Sequence, residues 1–280
     1  MDYCYKDGTM IVKNVTSLDL GETLDCGQSF RWRDNGDGSF TGVAYEKLVT
    51  VTIQNGDLHI ENTTEQDFEK IWRNYFDLDL YYDSIRESIG KIHPVLKEAS
   101  SYAPGIRILQ QEPWEALCTF IISQNNNIKR IKGIVDRLCV SFGNKIGDTD
   151  FYTFPKPENL AKQNPDDLAP LRAGFRNKYI IDASRKVASG EVDLEKCRNV
   201  PYDEARAELC KIKGVGNKVA DCTLLFGMHR IESFPIDVWM RRAMEKLFPN
   251  MTGEDFGEYA GIAQQYIFHY ARMHPELFEG

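Results

Sequence analysis

Residues 208–244 read ELCKIKGVGNKVADCTLLFGMHRIESFPIDVWMRRAM, and the two turns inside this stretch decide how the rest of the chain is read. The first turn is Ile212-Lys213-Gly214-Val215-Gly216. Before it, residues 202–211 are rich in good helix formers. After it, Val219, Cys222, Thr223 and Phe226 recur at three- and four-residue spacing, which predicts a second helix starting near Lys218. Two glycines one residue apart permit positive φ and remove side-chain bulk, so backbone amides can face outward. Amides at a helix start form an anion site, and DNA phosphate is the obvious tenant. Taken alone, such a Gly-x-Gly turn reads equally well as a plain connection.

Lys218 and Cys222 are four apart and share one face of the predicted helix. Lys218 falls in its first turn, where the helix dipole disfavours a cation and so favours a neutral amine. A free lysine amine is neutral only about 0.1% of the time near pH 7.4, so any such bias matters to a nucleophile. In isolation, a lysine there reads as a solvated charge. Nineteen positions on, Pro235-Ile236-Asp237-Val238 sets a carboxylate just ahead of another helical run. An aspartate so placed is commonly an N-cap. The lysine turn and the aspartate turn together are much rarer than either alone.

GVGNKVADC followed by FPIDV resembles the helix-hairpin-helix DNA glycosylases with a Gly/Pro-rich loop and an essential aspartate, closest to the 8-oxoguanine branch. The resemblance implies that Lys218 attacks C1′ of the damaged nucleoside, assisted by Asp237. It also places Gly214, Gly216, Val219 and Asn127 against the DNA backbone and Pro235 in the lesion pocket.

Four further segments join this pattern. Cys26-Gly27-Gln28-Ser29-Phe30-Arg31-Trp32 reads by periodicity as a turn into a strand, yet it is similar to the family's GQSFRW segment. By that resemblance the Gly27 carbonyl accepts N7–H of 8-oxoguanine and repels the N7 lone pair of normal guanine. Ser123-Gln124-Asn125-Asn126-Asn127 interrupts an apolar helix at 114–122, because asparagines suit a turn better than a helix interior. Behind it stand Lys129, Arg130, Lys132, Arg137 and Lys145 against one acid, Asp136. Unaided, that run reads as a solvated helix face; the resemblance puts Asn125 in the gap left by an extruded base and Arg130 on its partner. In the 171–179 segment, LRAGFRNKY, Gly174 ends one helical pattern. Phe175 reads as a core aromatic or, by resemblance, as the wedge that opens a base step, with Arg176 joining Arg130. Keeping both arginines implies a preference for cytosine opposite the lesion. In the last helix, 259–273, Gln264 and Phe268 are four apart. The resemblance sets Gln264 on the edge of the flipped base, Phe268 on one face and Cys222 on the other.

Composition sets outer bounds. A chain of 280 residues buries a substantial core, and no apolar run reaches the roughly 18 residues of a membrane span. The start, MDYCYKDGTM, lacks the parts of a signal peptide, and seven scattered cysteines suit reduced thiols. The expectation is a monomer in the cytoplasm on chromosomal DNA, or in the nucleus if eukaryotic. A net charge of −8 argues against a broadly basic coat but not against a local basic face. An iron–sulfur cluster needs closely placed cysteines, and the last one, Cys222, precedes Asp237, so no such cluster is expected. No cofactor is required. The resemblance allows a structural K⁺ or Na⁺ on the carbonyls of Cys210, Ile212 and Val215.

The expected fold class is α+β. An antiparallel sheet domain, residues 1–103, has short strands at 30–32, 40–45, 47–53 and 58–60 and helices at 65–77 and 83–93. A helical region, residues 104–280, carries the hairpin at about 203–227 and the aspartate loop at about 233–239. The expected function is a base-excision-repair glycosylase that removes 8-oxoguanine from double-stranded DNA through a lysine imine and cleaves the abasic site. The alternatives are a single-function alkylated-base glycosylase and a non-catalytic hairpin module. One departure from the family stands out: Trp239 replaces a histidine that contacts phosphate in mammalian relatives.

Overall fold

Alternating burial along β5 (Lys47–Gln54) marks a strand with one covered face, with Val49 and Val51 fully buried. It belongs to a six-stranded sheet in the order β1 (Tyr3–Lys6), β2 (Thr9–Val12), β6 (Asp57–Glu61), β5, β4 (Phe40–Ala44) and β3 (Trp32–Asp34). The computed structural model describes residues 1–278. From Pro113 onward the chain is mostly helical, so the fold is α+β.

Two strands were not anticipated. β1 and β2 form a hairpin about Asp7 (φ 49°) and Gly8 (φ 81°), both left-handed. Asp-Gly between short strands is the chemistry that such a two-residue turn demands. The strand expected at 30–32 begins instead at Trp32, because the buried Phe30 side chain turns onto Phe120, with ring centroids 6.0 Å apart. The helix expected at 65–77 is interrupted by a π-helical turn, Phe68–Trp72. The helix expected at 83–93 stops at Ile89. A new one, Pro94–Tyr102, follows, capped by His93 and opened by a proline in its first turn.

The expected boundary at 103/104 is not where the compact units divide. One unit comprises Met1–Gln28, Val51–Gln110 and His229–Gly280; the other comprises Ser29–Thr50 and Gln111–Met228. The aspartate loop and last helix therefore belong with β1, β2 and β6, and the lysine hairpin belongs with β3 and β4.

In the first unit, Met10 pairs with Ile60 and Val12 with Leu58, all at most 1% exposed. Tyr3 lies 5.0 Å from Phe68, and Phe68, Trp72, Tyr75 and Phe76 form a buried aromatic run. Trp72 keeps its indole N–H satisfied by donating to Thr63 Oγ1 at 3.0 Å. Arg107 is buried with its guanidinium donating to the carbonyls of Thr16, Ser17 and Asp77, so the buried cation is met by oxygens on several sides. The buried Gln28 amide donates to the Thr23 and Arg107 carbonyls and accepts from Leu109 N–H, which pins the strap containing Gly27.

The second unit is organised on two helices. Pro113–Ser123 is buried on every side from Glu115 to Ile122, and Asn217–Met228 is buried from Val219 to its end. They approach closely at Gly227, where a Cβ would come within 2.9 Å of the Ala116 methyl and 3.1 Å of the Pro113 backbone. Phe120 and Phe226 stack across their interface, and Phe30 meets Phe120 edge-on. In the partner helix Tyr202–Cys210, Arg206 and Tyr202 both reach Asp221, at 2.8 and 2.7 Å, and tie the hairpin's two helices together. No helix among the described residues is long and apolar enough to cross a membrane.

Candidate active site

Lys218 stands in the first turn of the Asn217–Met228 helix, which begins one residue ahead of the expected start. Its ammonium donates to Ser123 Oγ at 3.1 Å and lies 5.3 Å from the centroid of the Phe120 ring. Ser123 uses its own hydrogen to donate to the Phe120 carbonyl at 2.8 Å, so its lone pairs face the lysine. Phe226 stacks behind Phe120 at 5.3 Å. Among the described residues, the lysine head is therefore fixed by a single polar contact against an aromatic wall. Cys222, one turn on, is buried. Ser123 lies 95 residues away in sequence, and its place in the interrupted SQNNN helix gave no hint of this contact.

The hairpin turn is built on two glycines with different surroundings. Gly214 takes φ +82°, and its Cα faces the Tyr179 ring so closely that a Cβ would lie 2.4 Å from it. Gly216 has open space where a Cβ would stand. Amides in the first turn of the following helix have no intrahelical partner. Val219 is 3% exposed.

The remaining sequence-predicted residues of this unit cluster at two loops. Asn125 is exposed in a left-handed conformation, φ 46°. Asn127 caps the Ile128–Phe142 helix by accepting from Arg130 N–H at 2.9 Å. Arg130 is exposed, with one long contact, 3.4 Å, to the Arg172 carbonyl. Phe175 is 48% exposed at the start of the Arg176–Ala188 helix. Arg176 is different. It is 2% exposed and donates to the carbonyls of Gln124, Asn125 and Ala173, with its guanidinium 4.4 Å from the Phe175 ring. In this conformation Arg176 stitches the 124–125 loop to the 173–175 loop.

In the other unit, Asp237 is the N-cap of Val238–Leu247, with Oδ1 accepting from Met240 N–H at 2.8 Å. The cap engages one oxygen only. Pro235 before it is buried, while Ile236 and Val238 on either side are 42% and 66% exposed. Trp239 lies 5.8 Å beneath the Arg242 guanidinium. Gly27 adopts φ +95°, a conformation that only glycine takes cheaply. Its neighbour Cys26 is fully buried and accepts from Gln265 Nε2 at 3.0 Å, and burial pushes its thiol pKa up. Gln264 is 5% exposed, and its Oε1 is buried with no hydrogen-bond partner. Leaving a buried acceptor unpaired costs about 1–3 kcal/mol, which a bound donor would recover. Phe268, one turn on, is half-buried, 6.0 Å from the Arg272 guanidinium.

Comparison with known proteins covers most of the chain. Residues 10–117 match the 8-oxoguanine DNA glycosylase N-terminal domain, and residues 118–257 match the HhH-GPD superfamily base excision DNA repair protein. The N-glycosylase/DNA lyase of Saccharomyces cerevisiae is 32% identical over 270 residues, 86% of this chain and 71% of that one. The solved structure of MBOgg1 in complex with a low-affinity DNA ligand is 44% identical, covers 98% of this chain and 100% of that one, and has a TM-score of 0.93. The 8-oxoguanine glycosylase/lyase of Clostridium acetobutylicum, bound to double-stranded DNA with cytosine opposite 8-oxoguanine, is 36% identical. It covers 98% of this chain and 99% of that one at a TM-score of 0.92. The chain belongs to the 8-oxoguanine branch of the HhH-GPD superfamily of base-excision DNA repair proteins.

Proposed function

We propose that the protein excises 8-oxoguanine from duplex DNA and then cleaves the strand at the abasic site, with Lys218 as nucleophile. The observation that carries this reading is the lysine itself, at a helix start beside an open glycine turn, its head held against Phe120 by Ser123. The aromatic wall on one side limits water around the amine.

In the proposed reaction the Lys218 nitrogen bonds to C1′ as the C1′–N9 bond breaks and the electron pair leaves with the base. Asp237, with one oxygen outside its cap, takes a proton from the amine and stabilises the positive sugar. The C1′–O4′ bond then breaks, the remaining N–H proton passes to O4′, and the open-chain imine results. Removal of a C2′ proton then expels the 3′ phosphate. The flipped base is read by the Gly27 carbonyl and by Gln264, whose unpaired Oε1 awaits a donor, with Phe268 and Cys222 along its faces. Stacking of this kind is worth about 1–3 kcal/mol per base, comparable with the cost of unpairing it. Asn125 enters the vacated gap, Phe175 wedges the step, and the exposed Arg130 reads the partner, with cytosine preferred. Arg176 takes part in that reading only if it releases a carbonyl. The protein works as a monomer on chromosomal DNA.

Borohydride trapping on a duplex with 8-oxoguanine opposite cytosine, beside an undamaged control, tests the reading. A covalent adduct confined to the lesion duplex and absent from Lys218→Gln is the expected result. Tight lesion binding without adduct from folded protein would replace it with a single-function glycosylase or a binding module.

A further inference from the structure

One face of the Arg176–Ala188 helix carries Arg176, Tyr179, Asp182 and Lys186, at the three- and four-residue spacing that stacks side chains along a helix. Each of them touches one of the loops proposed to grip DNA. Arg176 holds the Gln124–Asn125 carbonyls, and Tyr179 backs Gly214. The last two act on the hairpin backbone directly. Asp182 Oδ2 accepts from Lys213 N–H at 2.7 Å, and Lys186 Nζ donates to the Lys211 carbonyl at 2.5 Å. The two side chains pair with each other at 3.2 Å, and Glu191 lies 3.9 Å from the ammonium. Both are about three-quarters covered, with side-chain exposures of 21% and 28%, so the pair is shielded from the screening that weakens surface ion pairs.

This arrangement bears on the monovalent cation that the family resemblance allows. An added ion would draw on the carbonyls of Cys210, Ile212 and Val215. The Ile212 carbonyl already accepts from Val215 N–H at 3.0 Å. The carbonyl between the first two ligands carries the Lys186 ammonium. A second cation on neighbouring carbonyls would meet that charge at close range. The oxygen set therefore does not suit a further ion while Lys186 is seated.

We propose that Lys186 is the hairpin's own cation. With Asp182 it is a positioning residue that fixes the peptides of Lys211 and Lys213, so that the Gly214–Gly216 amides face phosphate without K⁺ or Na⁺. The ammonium organises the carbonyl side of the turn and the carboxylate the amide side. Because the same helix holds the Asn125 loop, it sets the phosphate grip and the gap-filling loop in one frame. The inference rests on the proposed use of the hairpin against DNA.

The test is duplex affinity at constant ionic strength in KCl, NaCl and choline chloride, for the wild type and for Lys186→Met, which keeps the stem and removes the charge. Wild-type affinity should be equal in the three salts. Lys186→Met should bind about ten-fold more weakly in choline, the order expected for one lost charge-assisted hydrogen bond, and recover part of that loss in K⁺. A wild-type affinity that collapses in choline, or a Lys186→Met protein that matches wild type in every salt, overturns the proposal. If Lys186→Met does not fold, the salt exchange on wild type and the conservative Lys186→Arg decide in its place. Amide hydrogen exchange separates this idea from the function it rests on. Lys213 N–H should be protected in free wild type and at least ten-fold less so in Asp182→Ala. Equal protection in the two proteins defeats the clamp even if DNA binding is normal. Protection present in wild type and lost in Asp182→Ala, in a chain whose wild type binds no DNA, leaves the clamp standing and removes the proposed function.

Discussion

Lys218 and Asp237 both stand at the start of a helix, nineteen positions apart, yet they are held in opposite ways. Asp237 is fixed by its own helix: its carboxylate caps Met240 N–H three residues on. Lys218 is fixed by a remote element, Ser123 and Phe120 on another helix. They also belong to different compact units, the aspartate with β1, β2 and β6 and the lysine with β3 and β4. A local restraint survives whatever happens elsewhere in the fold. A tertiary restraint is only as good as the packing of the helices that supply it. The lysine amine is thus the more fragile of the two placements, and the carboxylate the more robust.

The largest effect should come from Lys218→Gln, which removes the adduct and strand cleavage altogether while leaving lesion binding within a few-fold. Persistent cleavage by that variant would dissolve the contrast, because the lysine would then be no nucleophile. Asp237→Asn should slow excision by about 10²–10⁴-fold while keeping the cap, since asparagine caps as well as aspartate. Asp237→Ala should show the same loss of rate together with about 1 kcal/mol of lost stability by chemical unfolding. Equal stabilities of the two variants would mean that the cap contributes nothing.

Ser123→Ala probes the tertiary restraint. It should lower the single-turnover rate about ten-fold with duplex affinity unchanged, the size expected when a charged group loses one hydrogen bond. An unaltered rate would show that the aromatic wall alone places the amine. The smallest effect concerns the base of the same helix pair. Burial first, then Glu115 and Glu46, raises the carboxyl of Glu112 to about 7. A folded-state value above the unfolded one means stability that is complete below about 4.5 and is lost as pH rises through about 7. Glu112→Gln should therefore exceed wild type in stability at pH 8 by on the order of 1 kcal/mol, and the gap should close by pH 4.5. Parallel stability curves across that range would deny the shift.

The hairpin, the aspartate turn and the helices around them were legible because their signals are local. Gly214 and Gly216 announce a turn, Pro235 and Asp237 a helix start, and apolar spacing the helix that follows. The π-turn at Phe68–Trp72 was not legible, since its residues keep a helical pattern. The β1–β2 hairpin has an equally local signal, since Asp7-Gly8 is a two-residue turn between short strands. Arg176 shows the limit most clearly. A pattern match can give an arginine a position but not its partners, and here those partners are three backbone carbonyls.

By itself the sequence determined the α+β class, the family pattern and the two helix starts that carry Lys218 and Asp237. Turn chemistry and periodicity act within about four residues, and a single chain displays them in full. Only the tertiary structure decided that the chain from His229 onward joins the unit of β1, β2 and β6, that Ser123 meets Lys218 across 95 residues, and that Lys186 sits on a hairpin carbonyl 25 residues away. Those outcomes depend on which buried faces pack together, and no local propensity encodes which one a given side chain will meet.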